Sequence, residues 1–260
     1  MNEDFTLQRY PQERHATRHV LAAAARKHMM HAMVEVDVTD ARRLLRELGR
    51  ETGRKPSITA FVIAACAQAV ERNPVMHAYR DMRDRLVLFK DVDVSMTVER
   101  IVGGESRVIP TIIRAANRTS VMEISDEIDR ARSEDAQTTG VASTIRAYLL
   151  IPPFLRRLVF RLLDRMPQLM KRKAGTIMVT SVGMFGRGAS WGIPLASHTL
   201  NVTVGGIVAR PLVKDGTVEE RDHLCMTVSF DHDIVDGAPA ARFLHRLRRL
   251  IEKPSALITM

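Results

Sequence analysis

A histidine and an aspartate four residues apart are the residues of this sequence whose types and spacing best suit catalysis. His232 follows Leu224–Phe230, an apolar stretch that predicts a strand, and Asp236-Gly237 precedes a predicted helix. A strand end is rigid, so it can aim an imidazole at a substrate. A carboxylate beside a helix N-terminus is favoured by the helix dipole. The pattern therefore suits a general base that its loop holds in position.

A purely structural interpretation explains the same two residues. Asp236 would only cap the helix, and His232 would be an ordinary loop residue. For an isolated H-x-x-x-D-G this is the better explanation, because patterns this short arise by chance. The surrounding sequence has to decide between the two.

The composition restricts the class of protein. The 260 residues are 45% hydrophobic and 27% charged, which predicts one globular domain able to bury a core without disulfides or metals. Cys66 and Cys225 lie in apolar segments and are predicted to be buried thiols of a reducing compartment. No spacing of histidines and cysteines predicts a metal site. The polar N-terminus and the lack of an apolar run of ~20 residues predict a cytoplasmic protein with no membrane span.

The positive charge is concentrated rather than spread over the chain. The formal net charge is +9, and six of these nine charges lie in residues 151–175. The rest of the chain is nearly balanced, and basic residues are not interleaved with aromatic ones. This distribution argues against a nucleic-acid partner.

Hydrophobic periodicity and turn residues predict an α/β fold. Helices are predicted near 40–53, 57–73, 120–133 and 154–166 and after 237, and strands at 34–39, 86–89, 92–98, 108–113, 176–182, 200–208 and 224–230. The strands at 86–89 and 92–98 are expected to pair with each other. Pro110 is expected to place its strand at an edge or to mark a bulge. Because helices and strands do not alternate strictly, we expect a mixed sheet in a layered domain.

Several ordered blocks resemble the acyltransferase components of 2-oxoacid dehydrogenase complexes. The segment that begins at Ser229 resembles the family signature S-F-D-H-R-x-x-D-G-A-x-A-A-x-F and the H-x-x-x-D-G of chloramphenicol acetyltransferase. Residues 175–183 resemble the family's G-T-F-T-I-S-N-I-G, residues 194–205 its P-I-I-N-H-P-E-V-A-I-L-G, and residues 210–216 its K-P-V-V-x-D-G. The resemblance is strong over 175–254 and weaker over 34–130. Blocks in this order are far more specific than one short motif.

The resemblance implies a mechanism and a role for each matching residue. The family moves an acyl group between coenzyme A and dihydrolipoamide, with a histidine that takes the thiol proton; His232 matches it. Thr180 matches the serine that stabilises the oxyanion, and Asp236 matches an orienting aspartate. Ser181 stands where the family has asparagine. Because side chains alternate along a strand, Thr180 and Ser181 cannot both face one site, and Thr180 is the expected donor.

The resemblance also implies a fold and an assembly. We expect a single domain over 1–260 with the two-layer, mixed-sheet sandwich of chloramphenicol acetyltransferase, in a homotrimer or larger cage whose sites lie between subunits. Coenzyme A, bound as acyl-CoA, is expected beside Ser181, Gly183 and Trp191, although Trp191 could instead anchor its loop. His198 is expected to be a structural turn residue. Components of a 2-oxoacid dehydrogenase complex are the expected protein partners.

Two departures from the family pattern support a competing hypothesis. Asp233 replaces the arginine that follows the family histidine, and a carboxylate there would raise the pKa of His232 and weaken it as a base. No segment resembles a lipoyl domain, so the lipoyl group is expected to be supplied in trans. These departures leave open a catalytically silent trimeric scaffold.

Residues 134–174 exceed the short connection that the family has at this point, and we expect a helical insert there. Its predicted basic helix has an apolar face, so it is interpreted first as a helix packed on the domain. It could also be a lid whose arginines meet the phosphates of the coenzyme. Binding to a membrane surface is the third and least favoured interpretation.

Overall fold

A computed structural model describes residues 6–7, 10, 13–102, 105–133, 151–152, 155, 162, 165–183, 188–214 and 216–258. The helices within these residues are α1 (Glu13–Ala24), α2 (Thr39–Thr52), α3 (Ile58–Glu71), α4 (Val121–Arg132), α5 (Pro167–Ala174), α6 (Gly237–Glu252) and α7 (Ser255–Ile258). The strands are β1 (Met29–Asp37), β2 (Tyr79–Arg80), β3 (Leu86–Val87), β4 (Val94–Val102), β5 (Glu105–Ile113), β6 (Ile177–Ser181), β7 (Leu200–Lys214) and β8 (Thr217–Asp231).

Six strands form one mixed sheet in the order β1-β8-β7-β6-β4-β5. β6 runs parallel to both of its neighbours, and the other pairs are antiparallel. β5 contains Pro110 and lies at an edge, as predicted, since proline has no N–H for a second partner. The α/β fold with a mixed sheet is confirmed.

Helices cover one face of this sheet. α3 is apolar around most of its circumference because it lies inside the helical layer, where eleven of its residues are buried and it packs against α4 and α6. Ser57 caps it by accepting a hydrogen bond from the Ala60 N–H (3.1 Å). α4 begins with a capping box of Ser120 and Glu123, whose S-x-x-E spacing is visible in the sequence. The core therefore lies between one sheet and one layer of helices.

The C-terminal elements that carry the candidate base follow the sequence pattern closely. β8 is buried over its last eight residues, and α6 buries Ala240, Phe243, Leu247 and Ile251 along one stripe. Both cysteines are buried and free, as predicted. Burial raises the pKa of the Cys66 thiol to about 12, so it stays protonated.

The predicted pairing of the strands at 86–89 and 92–98 is wrong. Leu86–Val87 pairs with Tyr79–Arg80 in a separate two-stranded ribbon, whereas β4 joins the main sheet between β5 and β6. The Asp81 carboxylate accepts hydrogen bonds from the N–H groups of Arg83 and Arg85 and so closes the ribbon locally. A turn of this kind favours pairing between two strands that are close together in sequence, here 79–80 and 86–87.

The predicted helix near 154–166 lies almost wholly outside the described residues, as does 134–150 of the predicted insert. The last part of the predicted insert forms α5. Nowhere in the described ranges is there a helix both long enough and apolar enough to cross a bilayer.

Candidate active site

His232 directly follows the C-terminal end of β8, a strand with neighbours on both sides in the sheet. Its N–H donates to the carbonyl oxygen of His28 (2.8 Å), which immediately precedes β1. The imidazole is half exposed, with 48% of its side-chain surface accessible. The backbone is thus fixed while the ring stays open to a ligand, as a general base requires.

Asp231 is buried and stabilises the loop that carries His232. Its carboxylate is 3% exposed and pairs with the Lys27 ammonium at 2.6 Å. The same carboxylate accepts from the Asp233 N–H (3.2 Å), and the Asp231 carbonyl accepts from the N–H groups of Ile234 and Val235. A buried carboxylate that is paired and hydrogen-bonded in this way holds a loop in one conformation.

Asp233 departs from the family pattern, and its carboxylate forms a hydrogen bond with His28 and not with the candidate base His232. Its carboxylate lies 2.9 Å from His28 Nδ1. Lys27 and His28 together thus contact three consecutive residues of the loop, 231–233. We call these contacts the Lys27–His28 clamp. Sequence analysis missed the clamp, and its only signal would have been a Lys-His pair just before the strand that pairs with β8.

Asp236 occupies the N-cap position of α6, as the structural interpretation expected. Its side chain makes no capping hydrogen bond and is 86% exposed. One carboxylate oxygen lies 3.9 Å from His232 Nδ1, which is beyond hydrogen-bond distance but close enough for electrostatic attraction. Asp236 therefore contributes negative charge on the Nδ1 side of the ring.

Thr180 and Ser181 are the last two residues of β6, and both are half buried. Ile177 and Val179 of the same strand enter the core, so by alternation Thr180 faces the other side of the sheet. Thr180 pairs with Thr203 of β7, which pairs with Thr227 of β8. The hydroxyl of Thr180 thus lies on the sheet face that does not carry the helices.

Gly183 and Trp191 lie near the same end of β6. A Cβ atom at Gly183 would overlap the carbonyl oxygen of Gly205, so close backbone packing accounts for this glycine. The Trp191 indole N–H donates to the Val34 carbonyl (3.3 Å), and its side chain remains partly exposed. Ser181 belongs to the same level of the sheet, through its pairing with Val204. A role for these residues with coenzyme A stays a prediction.

One chain does not bring Thr180 and His232 together. Through the register, Thr180 lies level with Thr227, five residues before His232 and two strands away from it. That separation is about 16 Å along the strands and about 10 Å across them. In a single subunit the predicted base and oxyanion donor are therefore too far apart to act on one substrate atom.

Two other histidines are internal and structural. His198 is buried, as its predicted turn role requires, with Nε2 2.7 Å from the Ala174 carbonyl oxygen, and burial lowers its pKa to about 4. His77 is buried beside Thr176 and Phe89, and burial likewise lowers its pKa to about 4. Both rings are neutral at pH 7, and neither has the exposure that a base needs.

A family model and curated proteins match most of the chain. The family model described as 2-oxoacid dehydrogenases acyltransferase (catalytic domain) matches residues 3–142 and 155–259. A dihydrolipoyllysine-residue acetyltransferase component of the pyruvate dehydrogenase complex from Bacillus subtilis is 25% identical over 232 residues, which are 87% of this chain and 45% of that protein. The component from Staphylococcus aureus strain Mu50 is 23% identical over 236 residues, 87% of this chain and 46% of that protein. The chain thus spans about half the length of these relatives.

Solved structures share the fold. A probable dihydrolipoamide acetyltransferase from Listeria monocytogenes superposes with a TM-score of 0.67 at 24% identity, covering 96% of this chain and 95% of that one. The cubic core of a pyruvate dehydrogenase multienzyme complex gives a TM-score of 0.68 at 18% identity, covering 98% and 95%. A truncated catalytic core from Thermoplasma acidophilum gives 0.66 at 22% identity, covering 97% and 100%.

Proposed function

The chain belongs to the 2-oxoacid dehydrogenase acyltransferase family, and we propose that it moves a short acyl group between coenzyme A and a thiol acceptor such as dihydrolipoamide. The observation that carries this proposal is the half-exposed imidazole of His232 on a hydrogen-bonded loop, in the segment that resembles the family's H-x-x-x-D-G. The match covers almost the whole chain.

His232 acts as the general base. The Asp236 carboxylate on the Nδ1 side favours a proton on Nδ1, which leaves Nε2 free to accept one. Nε2 removes the proton of the attacking thiol, and the thiolate forms a C–S bond to the thioester carbonyl. When the tetrahedral intermediate collapses, the C–S bond to the departing thiolate breaks, and the imidazolium returns its proton to that sulfur.

Thr180 stabilises the tetrahedral intermediate. Its hydroxyl donates to the oxyanion, a contribution of roughly 3 kcal/mol for one well-placed donor. The separation of Thr180 from His232 within a chain means that the two must come from different subunits. This supports a homotrimer with sites at the subunit boundaries, in which the His232 end of one sheet meets the Thr180 end of its neighbour.

Acyl-CoA is the coenzyme-bound substrate, and a lipoyl group takes part only if it is supplied in trans. Two of the structural neighbours are cores of pyruvate dehydrogenase or 2-oxoacid dehydrogenase complexes. Components of such a complex are therefore the proposed partners, and a larger cage of trimers is the proposed assembly.

The test compares acyl exchange between acetyl-CoA and dihydrolipoamide in wild type and His232→Ala. We expect the variant to lose about 10²–10⁴-fold in kcat/KM, because this is the contribution of general-base catalysis. His223→Ala is the matched control, since His223 lies on β8 and its ring bonds to the nearby Arg221 carbonyl. Wild-type exchange in His232→Ala would refute the assigned base.

Calorimetry with coenzyme A tests the scaffold hypothesis separately. An acyltransferase binds coenzyme A, whereas a catalytically silent core has no reason to do so. The bonding of Asp233 to His28 rather than to His232 favours the enzyme, because the extra carboxylate is occupied elsewhere. A lack of both coenzyme A binding and acyl exchange would favour the scaffold.

A further inference from the structure

One surface groove, formed by α6 and the end of α3, is lined by positive charge with no acid among its lining residues. Five cations and a histidine line a groove of 720 Å³, with Ala241 and Leu250 as its apolar part: Arg72, Arg242, His245, Arg246, Arg249 and Lys253. All but Arg72 belong to α6 or its C-cap, and Arg72 is the C-cap residue of α3. We call this surface the α6 groove.

The acids nearest in sequence are engaged elsewhere. Glu71 accepts a hydrogen bond from Asn117 (2.9 Å), and Glu252 pairs with Arg248 (2.7 Å), which lies outside the groove. Across the described part of the chain, no salt bridge reaches any of the five groove cations. Exposed helices normally intersperse charges of both signs, so this face is unusual.

Helix physics alone does not account for this arrangement. Like charges at i,i+3 and i,i+4 repel, and this spacing relates Arg242 to Arg246, Arg246 to Arg249, and Arg249 to Lys253. The helix dipole favours cations only in the last turn, whereas Arg242 lies in the second turn. The repulsion is relieved when anions bind, so the groove has the charge pattern of a binding surface.

The size and exposure of the groove favour an extended partner over a single small anion. Arg242 and Lys253 are eleven residues apart on one helix, or about 16 Å. Most of these side chains are exposed along the groove rather than gathered around one point. Guanidinium groups spaced along a helix match successive carboxylates, each of which can be bound by two parallel hydrogen bonds.

We propose that the α6 groove binds an acidic segment of a partner protein. Carboxylates of the segment pair with Arg242, Arg246 and Arg249, and an apolar side chain between them contacts Leu250. The lining has no phenylalanine, tyrosine or tryptophan on which bases could stack, which disfavours single-stranded nucleic acid. A concave surface without exposed aromatic anchors does not insert into a bilayer.

This inference is independent of the proposed acyl transfer. The groove begins at Ala241 and shares no residue with the loop of His232 or with Thr180. Groove variants should therefore retain acyl exchange, and their binding can be tested whether or not the protein proves to be an acyltransferase.

The test measures fluorescence anisotropy with a labelled deca-glutamate peptide and with deca-glutamine as the uncharged control. The ionic strength is about 0.15 M, where charges farther apart than about 8 Å are screened. The groove variant carries Arg242→Gln, Arg246→Gln and Arg249→Gln. A matched variant carries Arg50→Gln, Arg83→Gln and Arg130→Gln, which removes the same charge from exposed sites elsewhere.

The wild-type protein is expected to bind deca-glutamate and not deca-glutamine. The groove variant should bind at least about tenfold more weakly, and the matched variant within about twofold of wild type. Equal losses of affinity in both variants would show that binding depends on net charge alone and would overturn the proposal. Groove-dependent binding that is tighter to duplex DNA or to phosphatidylglycerol vesicles would overturn it too, by assigning another class of partner.

Discussion

At the scale of single residues, the neighbouring hydroxyls of Thr180 and Ser181 can be separated by experiment. Only one of them can face the site, and Thr180 lies on the sheet face opposite the core, in register with Thr203. Thr180→Val should lower kcat/KM for acyl exchange by about 10²–10³-fold, because an oxyanion donor is lost. Ser181→Ala should lower it by no more than about tenfold, because at most one hydrogen bond to coenzyme A is lost.

Thr180→Ser is the control for this comparison, because it restores a hydroxyl at the same position and should recover most of the activity. Circular dichroism of each variant checks that β6 remains folded. If Ser181→Ala lost more activity than Thr180→Val, the two roles would have to be exchanged.

At the scale of elements, the Lys27–His28 clamp ties the start of β1 to the loop after β8. Lys27→Met would leave the Asp231 carboxylate buried without its partner, at a cost of about 3–5 kcal/mol in the free energy of unfolding. Urea denaturation measures this loss. Lys90→Met, a change at an exposed lysine, should stay within about 0.5 kcal/mol.

A double variant shows whether the effect passes through the ion pair. Asp231→Asn removes the charge that Lys27→Met leaves unpaired, so the two together should cost less than the sum of the single changes. Additive losses, or a Lys27→Met protein as stable as wild type, would show that the clamp does not fix the loop.

Elements with a local signal could be predicted from sequence, and contacts between distant residues could not. The helices near 120–133 and after 237 depend on residues a few positions apart, such as the capping pair Ser120 and Glu123, and both helices are found as predicted. Lys27 and Asp231 are 204 residues apart, so no local pattern could reveal their pairing. The strand near 86–89 was predicted correctly, but its partner was not, because pairing depends on the turn at Asp81.

The same distinction applies to the candidate site. His232 and Asp236 lie four residues apart, so their motif shows in the sequence, and the structure places them on one loop. The distance between His232 and Thr180 follows only from the register of β6, β7 and β8. Family resemblance implies that the two residues share one site. The proposal that they come from two subunits depends on the strand register, which the sequence does not show.

At the scale of the whole molecule, a site shared between subunits predicts complementation. His232→Ala subunits retain Thr180, and Thr180→Val subunits retain His232, so each variant alone should have little activity. In trimers formed by co-expression in equal amounts, about a quarter of the boundaries would join an intact His232 to an intact Thr180. Acyl exchange should therefore recover to about a quarter of the wild-type rate. If both residues acted within one chain, no mixed trimer would contain a complete site, and activity would stay at the level of the single variants.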